Sequence, residues 1–370
     1  MKKENELAKL SLRQHPFTGI RTVLCFVLLI EATPASFAHD DDGRDDDRFY
    51  LSLGDSLSVG VQPDATTGVN QRTDDGYPDQ LFNILSAEED DLRLVKLGCE
   101  NRETTETMIY GGGLCEYEEG SQLAQAIKFL RKHGDDVALI TIDIGVNDVI
   151  FSGCIIETDG IVTGVDVGCI LDPDGPFAQV AANLPIILSA LQQAADDDTQ
   201  IVGMNYYNTF LAAWLTGPEG QALAEQSALL ANILNNDVLG QTYAAFYVPV
   251  ADVAGAFDSN NFTEMPFPTP DSPLMIPQNV ALICLWSYMC VPDPVGPNIH
   301  ANPTGYGVIA ATFEEVLRAD DDDDDYRKGH KHDDRHHDRH DDRRGRKGVG
   351  RHLNDDEGDH REKISGAKDE

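Results

Sequence analysis

The sequence lacks lysine and arginine over a long stretch, with neither residue between Lys132 and Arg318. Over residues 39–319, ten Lys and Arg face 43 Asp and Glu, which gives a net charge of about −33. A surface this acidic repels nucleic-acid phosphates and anionic lipid headgroups, so nucleic acid is excluded as a partner. Salt screens the repulsion among the acidic groups, and the composition therefore indicates tolerance of saline conditions.

An apolar run long enough to cross a bilayer is also missing near the start of the chain. The run over residues 23–30 is far shorter than the roughly 20 residues that a membrane-spanning helix needs. Five basic residues lie before or at the edge of this run, and the small residues Ser36 and Ala38 follow it, as in a signal peptide. We predict a signal peptide over residues 1–38, with export to the extracellular or periplasmic space; a retained membrane anchor is the alternative.

Cysteine spacing of the zinc-binding kind is absent, since no CxxC pair or Cys/His arrangement occurs. One of the seven cysteines belongs to the predicted signal peptide, and the other six form three near pairs. An even number of cysteines in an exported protein indicates disulfides. Six cysteines can pair in many ways, and proximity favours Cys99 with Cys115, Cys154 with Cys169, and Cys284 with Cys290.

The chain from residue 320 onward is rich in Asp, Arg and His and has almost no apolar residue. Such a segment buries too little surface to offset the entropy lost on ordering, so we predict a disordered tail over residues 320–370. Seven of the 11 histidines lie there, and binding of divalent cations is the alternative to a simply solvated tail. The folded domain is therefore predicted over residues 39–319, and we expect a monomer without a membrane span.

Within this domain, apolar runs typical of strands alternate with stretches of helical periodicity. Strands are predicted over 48–53, 92–97, 137–144, 200–205 and 244–250, and helices over 78–87, 121–133, 177–195, 219–239 and 303–317. This alternation predicts a parallel α/β sheet with helices on both faces and an active site beyond the carboxyl ends of its strands. The Pro-rich residues 258–298 are predicted to form a long surface loop.

A serine follows the first predicted strand, in the Gly-Asp-Ser-Leu of residues 54–57. At a turn from a strand into a helix, Ser56 would point outward among backbone N–H groups that can stabilise an oxyanion. The same residue types form ordinary turns and helix caps, so the tetrapeptide alone leaves both interpretations open.

Two histidines remain inside the predicted domain, apart from His39 at its first residue. His133 ends a predicted helix, where a cation suits the helix dipole, and a structural role is expected. His300 lies in a segment leading into the last helix and is the suitable general base for a serine nucleophile.

Asn147 follows the most apolar predicted strand, in the Gly-Val-Asn-Asp of residues 145–148. At the carboxyl end of a strand, its side-chain N–H can be aimed at a developing oxyanion. The alternative is a turn in which Asp148 caps the next segment.

In their order and spacing, the segments around Ser56, Asn147 and His300 resemble the sequence blocks of the SGNH (GDSL-type) hydrolase family, over roughly residues 48–318. The first near pair of cysteines and the Gly-Ser-Gln-Leu of residues 120–123 are similar to a narrower group, the secreted actinobacterial-type lipases and esterases with three disulfides. The resemblance implies a three-layer α/β/α sandwich around a mostly parallel, five-stranded, flavodoxin-like sheet. It also implies a carboxylic ester hydrolase that needs no metal or organic cofactor.

The roles expected from this resemblance are those of a serine esterase. His300 takes the proton of Ser56, which attacks the ester carbonyl, and water then hydrolyses the acyl-enzyme. The family's second block supplies a glycine N–H to the oxyanion hole, whereas this sequence has Arg102 there and one extra residue. The expected oxyanion hole is therefore formed by the N–H groups of Ser56 and Arg102 and the side chain of Asn147. Arg102 would also offer a positive charge to a charged substrate.

The triad acid is the second departure from the family. Many members have Asp three residues before the histidine, and this sequence has Pro297 there. The main-chain carbonyl of Asn298 is the favoured partner of the imidazole in a Ser-His dyad. Asp293 is the alternative acid, if the loop folds back.

An acyl ester is the expected substrate, such as a lipid, a phospholipid or a short-chain ester. A carbohydrate de-acetylase of the same family is the runner-up. Two other classes stay open: a non-catalytic binding protein that keeps the hydrolase fold, and a protein whose function lies in its Asp/His tail.

Overall fold

The computed structural model describes residues 47–158, 161–268 and 272–333, with backbone only at residue 161 and over 320–333. The predicted signal peptide and residues 334–370 lie outside the described residues. In the part of the chain that is described, no helix combines the length and the apolar character that a membrane span requires.

Five parallel strands form the central sheet, which confirms the predicted fold class. They are β1 (Arg48–Gly54), β2 (Leu92–Lys96), β3 (Val137–Asp143), β4 (Gln200–Met204) and β5 (Val250–Ala251). Their order in the sheet is β2-β1-β3-β4-β5. This is the flavodoxin-like order, in which the crevice for a ligand lies beyond the carboxyl ends of β1 and β3.

Strands β1 and β3, inside the sheet, are largely apolar because helices cover both faces of the sheet. Every residue of β3 is buried except Ala138, which is half-buried, as expected for a strand enclosed on both sides. In the register between β1 and β3, Gly54 lies opposite Asp143. Both strands therefore end at the same level, and the segments that follow them emerge side by side.

Eleven α-helices surround the sheet in the described part of the chain. They are α1 (Tyr77–Leu85), α2 (Thr105–Tyr110), α3 (Gln122–His133), α4 (Val146–Ile150), α5 (Val167–Ile170), α6 (Pro176–Ala194), α7 (Pro218–Asn232), α8 (Gln241–Ala245), α9 (Val253–Ala256), α10 (Gln278–Trp286) and α11 (Pro303–Asp333). Short 3-10 helices span Leu57–Val59, Gly134–Asp136 and Thr209–Thr216, and a π-helix, Ile233–Gly240, joins α7 to α8.

The helices form two layers. On one face, α1 packs against α11, and the ring of Tyr77 stacks on that of Phe313 with centroids 4.9 Å apart. The hydroxyl groups of Tyr50 and Tyr77 both lie within hydrogen-bond distance of Oγ1 of Thr141 in β3, which joins this layer to the sheet. The other layer contains α2, α3 and α6, which pack against one another.

Two predicted elements are wrong. A strand is predicted over residues 244–250, but α8 continues to Ala245 and β5 contains only Val250 and Ala251. A short apolar run does not distinguish a strand from a buried helix. The surface loop predicted over 258–298 holds α10, with several buried residues, and an antiparallel hairpin of Glu264–Phe267 with Leu274–Pro277.

The last helix also differs from its prediction, because α11 continues past Ala319 to Asp333. A helix that has already nucleated extends by one hydrogen bond per residue and needs no new nucleus. The helical backbone thus reaches into the segment for which we predict disorder.

Three disulfides join the six cysteines of the described chain in sequential pairs, as proximity predicts. Cys99–Cys115 closes a loop that contains α2. Cys154–Cys169 flanks an antiparallel pair of short strands, Ile155–Thr158 and Ile161–Val165. Cys284–Cys290 ties α10 to the turn that precedes the segment of His300.

Candidate active site

Ser56 lies on a sharp turn between β1 and a 3-10 helix, for which it is the N-cap residue. The turn requires glycine at position 54, where φ is 132° and a Cβ atom would lie 2.0 Å from the carbonyl oxygen of Asp143. The buried side chain of Gln122 brackets this glycine. Its Oε1 accepts from the Gly54 N–H at 2.7 Å, and its Nε2 donates to the Gly54 carbonyl at 2.9 Å. Gln122 is therefore a positioning residue for the turn, one that was not among the predicted site residues.

Two buried carboxyl groups accept hydrogen bonds from the backbone of the turn. The backbone N–H of Asp55 donates to Oδ1 of Asp143 at 2.8 Å, and the N–H of Leu57 donates to Oδ1 of Asp55 at 2.9 Å. Burial raises the pKa of Asp55 to about 7, and burial together with the nearby Asp55 raises the pKa of Asp143 well above its ordinary value. Oδ2 of Asp143 has no hydrogen-bond partner among the described residues, so the protonated form is favoured there.

His300 lies on a short antiparallel ribbon, in which Asn298–Ala301 pairs with Ser287–Tyr288. Nε2 of His300 lies 2.9 Å from Oγ of Ser56, so the structure brings the predicted base and nucleophile within hydrogen-bond distance. The hydroxyl of Tyr207 donates to the carbonyl of Ile299 at 2.9 Å and holds the ribbon in place. His300 is 5% exposed, and burial lowers its pKa to about 4. Its imidazole is therefore neutral at physiological pH and can accept a proton.

The side chain of Asn298 orients the imidazole. Nδ1 of His300 donates to Oδ1 of Asn298 at 2.6 Å, and the backbone N–H of His300 donates to the same oxygen at 3.0 Å. Nδ2 of Asn298 donates to Oδ1 of Asn70 at 2.7 Å, which fixes the orientation of the amide. With its proton on Nδ1, the imidazole has Nε2 free to act as the base. The main-chain carbonyl is expected in this role, and the side chain of the same residue takes it instead.

The structure does not bring Asp293 to the imidazole. Its side chain is exposed, and within the described part of the chain it makes no hydrogen bond or ion pair with His300. Asn298, closer in sequence and on the same ribbon as His300, occupies the position proposed for this acid.

The three predicted oxyanion-hole residues, Ser56, Arg102 and Asn147, line one cleft together with His300. Nδ2 of Asn147 donates one hydrogen to the carbonyl of Glu103 at 2.9 Å and has a second hydrogen to offer. The backbone N–H groups of Ser56 and Arg102 find no partner among the described residues. Residues that line the cleft therefore carry N–H donors without an acceptor in the described chain, as stabilisation of an oxyanion requires.

Asp148 holds the segment that carries Arg102. Its carboxylate accepts from the N–H of Thr105 at 2.9 Å and from Oγ1 of the same residue at 2.6 Å. Asp148 therefore binds the start of α2, and it does not cap the segment that follows it, which is the alternative considered from the sequence.

The neighbouring side chain of Glu103 is buried beside the Cys99–Cys115 disulfide. Because the two sulfurs are bonded to each other, Glu103, Cys99 and Cys115 do not form a metal site.

His133, the other histidine of the domain, packs between aromatic rings. Its ring centroid lies 4.3 Å from that of Phe129 and 4.4 Å from that of Phe49. Burial lowers the pKa of His133. His133 therefore has a structural role, as expected, but the role comes from packing of its ring and not from a positive charge at the end of α3.

Two spaces of different character adjoin Ser56. The cleft has a volume of about 400 Å³ and is lined largely by polar residues, among them Asn70, Gln71 and Asn101. A recess of about 40 Å³ is lined mainly by apolar and aromatic side chains, including Leu57, Val146, Ile150, Tyr206 and Tyr207. A further apolar cavity of about 70 Å³ shares the walls formed by Val146, Ile150, Tyr206, Tyr207 and Thr209 with this recess.

No protein-family model matches this chain, and no curated protein matches it either. Solved structures with a similar fold include an extracellular lipase from Streptomyces rimosus, at 18% identity over 73% of this chain and 99% of the lipase, with a TM-score of 0.44. An aryl esterase from M. smegmatis is 13% identical over 74% of this chain and 99% of its own, with a TM-score of 0.40. A carbohydrate acetylesterase family member from Sinorhizobium meliloti is 17% identical over 74% of this chain and 98% of its own, with a TM-score of 0.38.

Proposed function

We propose that the protein is a serine ester hydrolase of the SGNH (GDSL-type) family that cleaves acyl esters through an acyl-enzyme. The observation that carries the proposal is the hydrogen-bonded series Ser56, His300 and Asn298, with contacts of 2.9 and 2.6 Å. A nucleophile, a base and a group that orients the base are the parts that this chemistry needs.

In the proposed first step, Oγ of Ser56 attacks the ester carbonyl while its proton passes to Nε2 of His300. The negative charge that develops on the carbonyl oxygen is stabilised by the N–H groups of Ser56 and Arg102 and by the amide of Asn147. The C–O bond to the alcohol then breaks, and His300 returns the proton to the leaving oxygen.

In the second step, water attacks the acyl-enzyme and gives a proton to His300. The bond between the acyl carbon and Oγ of Ser56 breaks, and His300 protonates the serine again. Asn298 accepts the Nδ1 hydrogen throughout, so His300 gains and loses its proton at Nε2. The products are a carboxylic acid and an alcohol.

The apolar recess beside Ser56 supports a short acyl group as the substrate's acyl part. Its volume of about 40 Å³ has room for few methylene groups. The wider polar cleft then receives the alcohol part. Because a small acyl group on a polar alcohol is also the structure of an acetylated sugar, carbohydrate de-acetylation is the second candidate.

The proposal includes export of the protein from the cytoplasm. Three disulfides in the described chain agree with an oxidising compartment. Residues 1–38 would direct export and be removed after Ala38. Mass spectrometry of the mature protein from its native host would reveal the new N-terminus, and an intact first residue would contradict this part of the proposal.

The test of the activity is hydrolysis of p-nitrophenyl esters from acetate to decanoate, by the mature chain and by Ser56→Ala. We expect the highest kcat/KM on short chains and a loss of about 10⁴-fold or more in the variant, because no other group can form the acyl-enzyme. His133→Ala is the matched control, since this histidine lies outside the cleft, and it should keep its activity. An unreactive Ser56 in a folded wild-type chain, shown by no labelling with a fluorophosphonate, would reject the proposal in favour of a binding protein.

A further inference from the structure

Arg102 has an unusual position for a cation in this protein. Nine Lys and Arg side chains are described, and six of them lie within 4.0 Å of a carboxylate: Arg48, Arg72, Arg93, Lys96, Lys128 and Arg318. Of the remaining three, Arg131 and Lys132 lie at the C-terminal end of α3, where the helix dipole favours a cation. Arg102 has neither kind of compensation and lines the cleft of Ser56.

The acidic side chains near the cleft do not neutralise Arg102. The acidic residue that lines the cleft is Glu100, and its carboxylate faces Nε of Arg72 at 4.0 Å. Among the described residues, no carboxylate lies within ion-pair distance of Arg102. Arg102 is exposed, so its charge is hydrated and is stable without a carboxylate partner. In a domain with a net charge of about −33, its guanidinium is therefore a cation that remains open to an anion entering the cleft.

Phe151 holds the guanidinium at the cleft. The Cζ atom of Arg102 lies over the ring of Phe151, 4.2 Å from its centroid, and both side chains line the cleft. An aromatic face stabilises a guanidinium without using its N–H groups as a carboxylate would. The planar group is therefore available for bidentate recognition of a carboxylate or a phosphate.

We propose that Arg102 and Phe151 form a binding site for an anionic group on the alcohol part of the ester, a carboxylate or a phosphate. This inference rests on the proposed hydrolase function, because it assigns the polar cleft to the alcohol and the apolar recess to the acyl group. The surrounding acidic surface repels anions, and Arg102 compensates for that repulsion at the one place where the substrate binds. The protein is then selective for anionic over neutral short-chain esters.

The test compares kcat/KM for phenyl acetate, 4-acetoxybenzoate and 4-acetoxyphenyl phosphate in the wild type, Arg102→Gln and Arg131→Gln. We expect Arg102→Gln to lower the ratio of kcat/KM on each anionic ester to kcat/KM on phenyl acetate by about tenfold, the scale of one charge-assisted hydrogen bond. The larger of the two anionic losses identifies the preferred group. Arg131→Gln removes the same charge outside the cleft and should leave all the ratios unchanged.

Equal losses on all three esters would overturn the inference, because Arg102 would then act through the oxyanion hole. Equal effects of the two variants would overturn it as well, since net charge alone would then explain the selectivity. Arg102→Lys separates the bidentate role from charge, and we expect it to recover only part of the activity on the anionic esters.

A binding measurement distinguishes failure of this inference from failure of the proposed function. The probe is 4-acetamidobenzoate, an amide analogue of the anionic ester, titrated calorimetrically into Ser56→Ala with and without Arg102→Gln. We expect roughly tenfold weaker binding when Arg102 is replaced. Identical binding to the two proteins would reject the anion site, even if the wild type hydrolyses esters. A tenfold difference would support the anion site, even if the wild type hydrolyses none of the esters.

Discussion

The side-chain oxygen of Asn298 lies 2.6 Å from Nδ1 of His300, so a neutral amide occupies the place of the carboxylate in a Ser-His-Asp triad. The amide fixes the tautomer of the imidazole as a carboxylate would. It brings no negative charge to the buried ring, and desolvation by burial lowers the pKa of His300 to about 4 without opposition from an anion.

The first prediction concerns the acid limit of the activity. Because the base must be unprotonated, kcat/KM should stay constant from neutral pH down to about pH 5 and fall to half near pH 4, where His300 becomes protonated. The measurement is the pH profile of kcat/KM for a neutral ester, with circular dichroism at each pH to show that the chain is folded. An acid limit near pH 6.5, the ordinary value of a histidine, would mean that burial does not lower the pKa of His300 in solution.

The second prediction reverses this effect by adding a charge at the same place. Asn298→Asp puts a carboxylate against Nδ1, which favours the imidazolium, and should move the acid limit upward by about one to three pH units. Asn298→Ala removes the orienting group and should lower kcat/KM by roughly 10²-fold at neutral pH. If the aspartate variant kept the wild-type pH profile, the contact between Asn298 and His300 would not be the one that sets the basicity.

The third prediction concerns the wall between the two apolar cavities. Ile150 lines both the recess beside Ser56 and the cavity behind it. Ile150→Ala should join them and move the optimum of a p-nitrophenyl ester series toward longer acyl chains, at a cost of about 2 kcal/mol in stability. Val149→Ala is the matched control, because Val149 lines the rear cavity alone. If the preferred acyl-chain length shifted equally in both variants, or in neither, the recess would not be the acyl site.

The fourth prediction concerns the buried carboxyl group of Asp143. Burial raises its pKa well above the ordinary value of 3.8, so the folded state binds more protons than the unfolded chain, and stability falls as the pH rises above about 4. Asp143→Asn keeps an acceptor for the N–H of Asp55 and removes this penalty. We expect stability close to that of the wild type near pH 4, below which the penalty is absent, and at least about 1 kcal/mol higher near pH 8.

Urea unfolding at both pH values measures this difference. The control is Asp174→Asn, which replaces an exposed carboxylate that makes no side-chain hydrogen bond within the described chain and should change the stability little at either pH. A destabilised Asp143→Asn at pH 8 would show that the ionised carboxylate is needed in the fold.

The sequence by itself determined the order of strands and helices and the end of the sheet at which the site lies. Apolar runs and helical periodicity are local signals, and they predict β1 to β4 and the longer helices to within a few residues. The positions of Ser56 and Asn147 follow from those strands, because each residue lies within four positions of the end of one. The disulfide pairs follow from proximity in the chain, since their members are only 6 to 16 residues apart.

The tertiary structure alone decided which groups surround the nucleophile. Ser56 and His300 are separated by 244 positions, and Gly54 and Gln122 by 68, so no local pattern relates them. The choice between the main chain of Asn298, its side chain and Asp293 depends on how a ribbon folds against α10, in a stretch whose composition indicates a loop. The burial of Asp143 and the isolation of Arg102 from every described carboxylate likewise depend on distances between remote segments, which packing sets and composition does not.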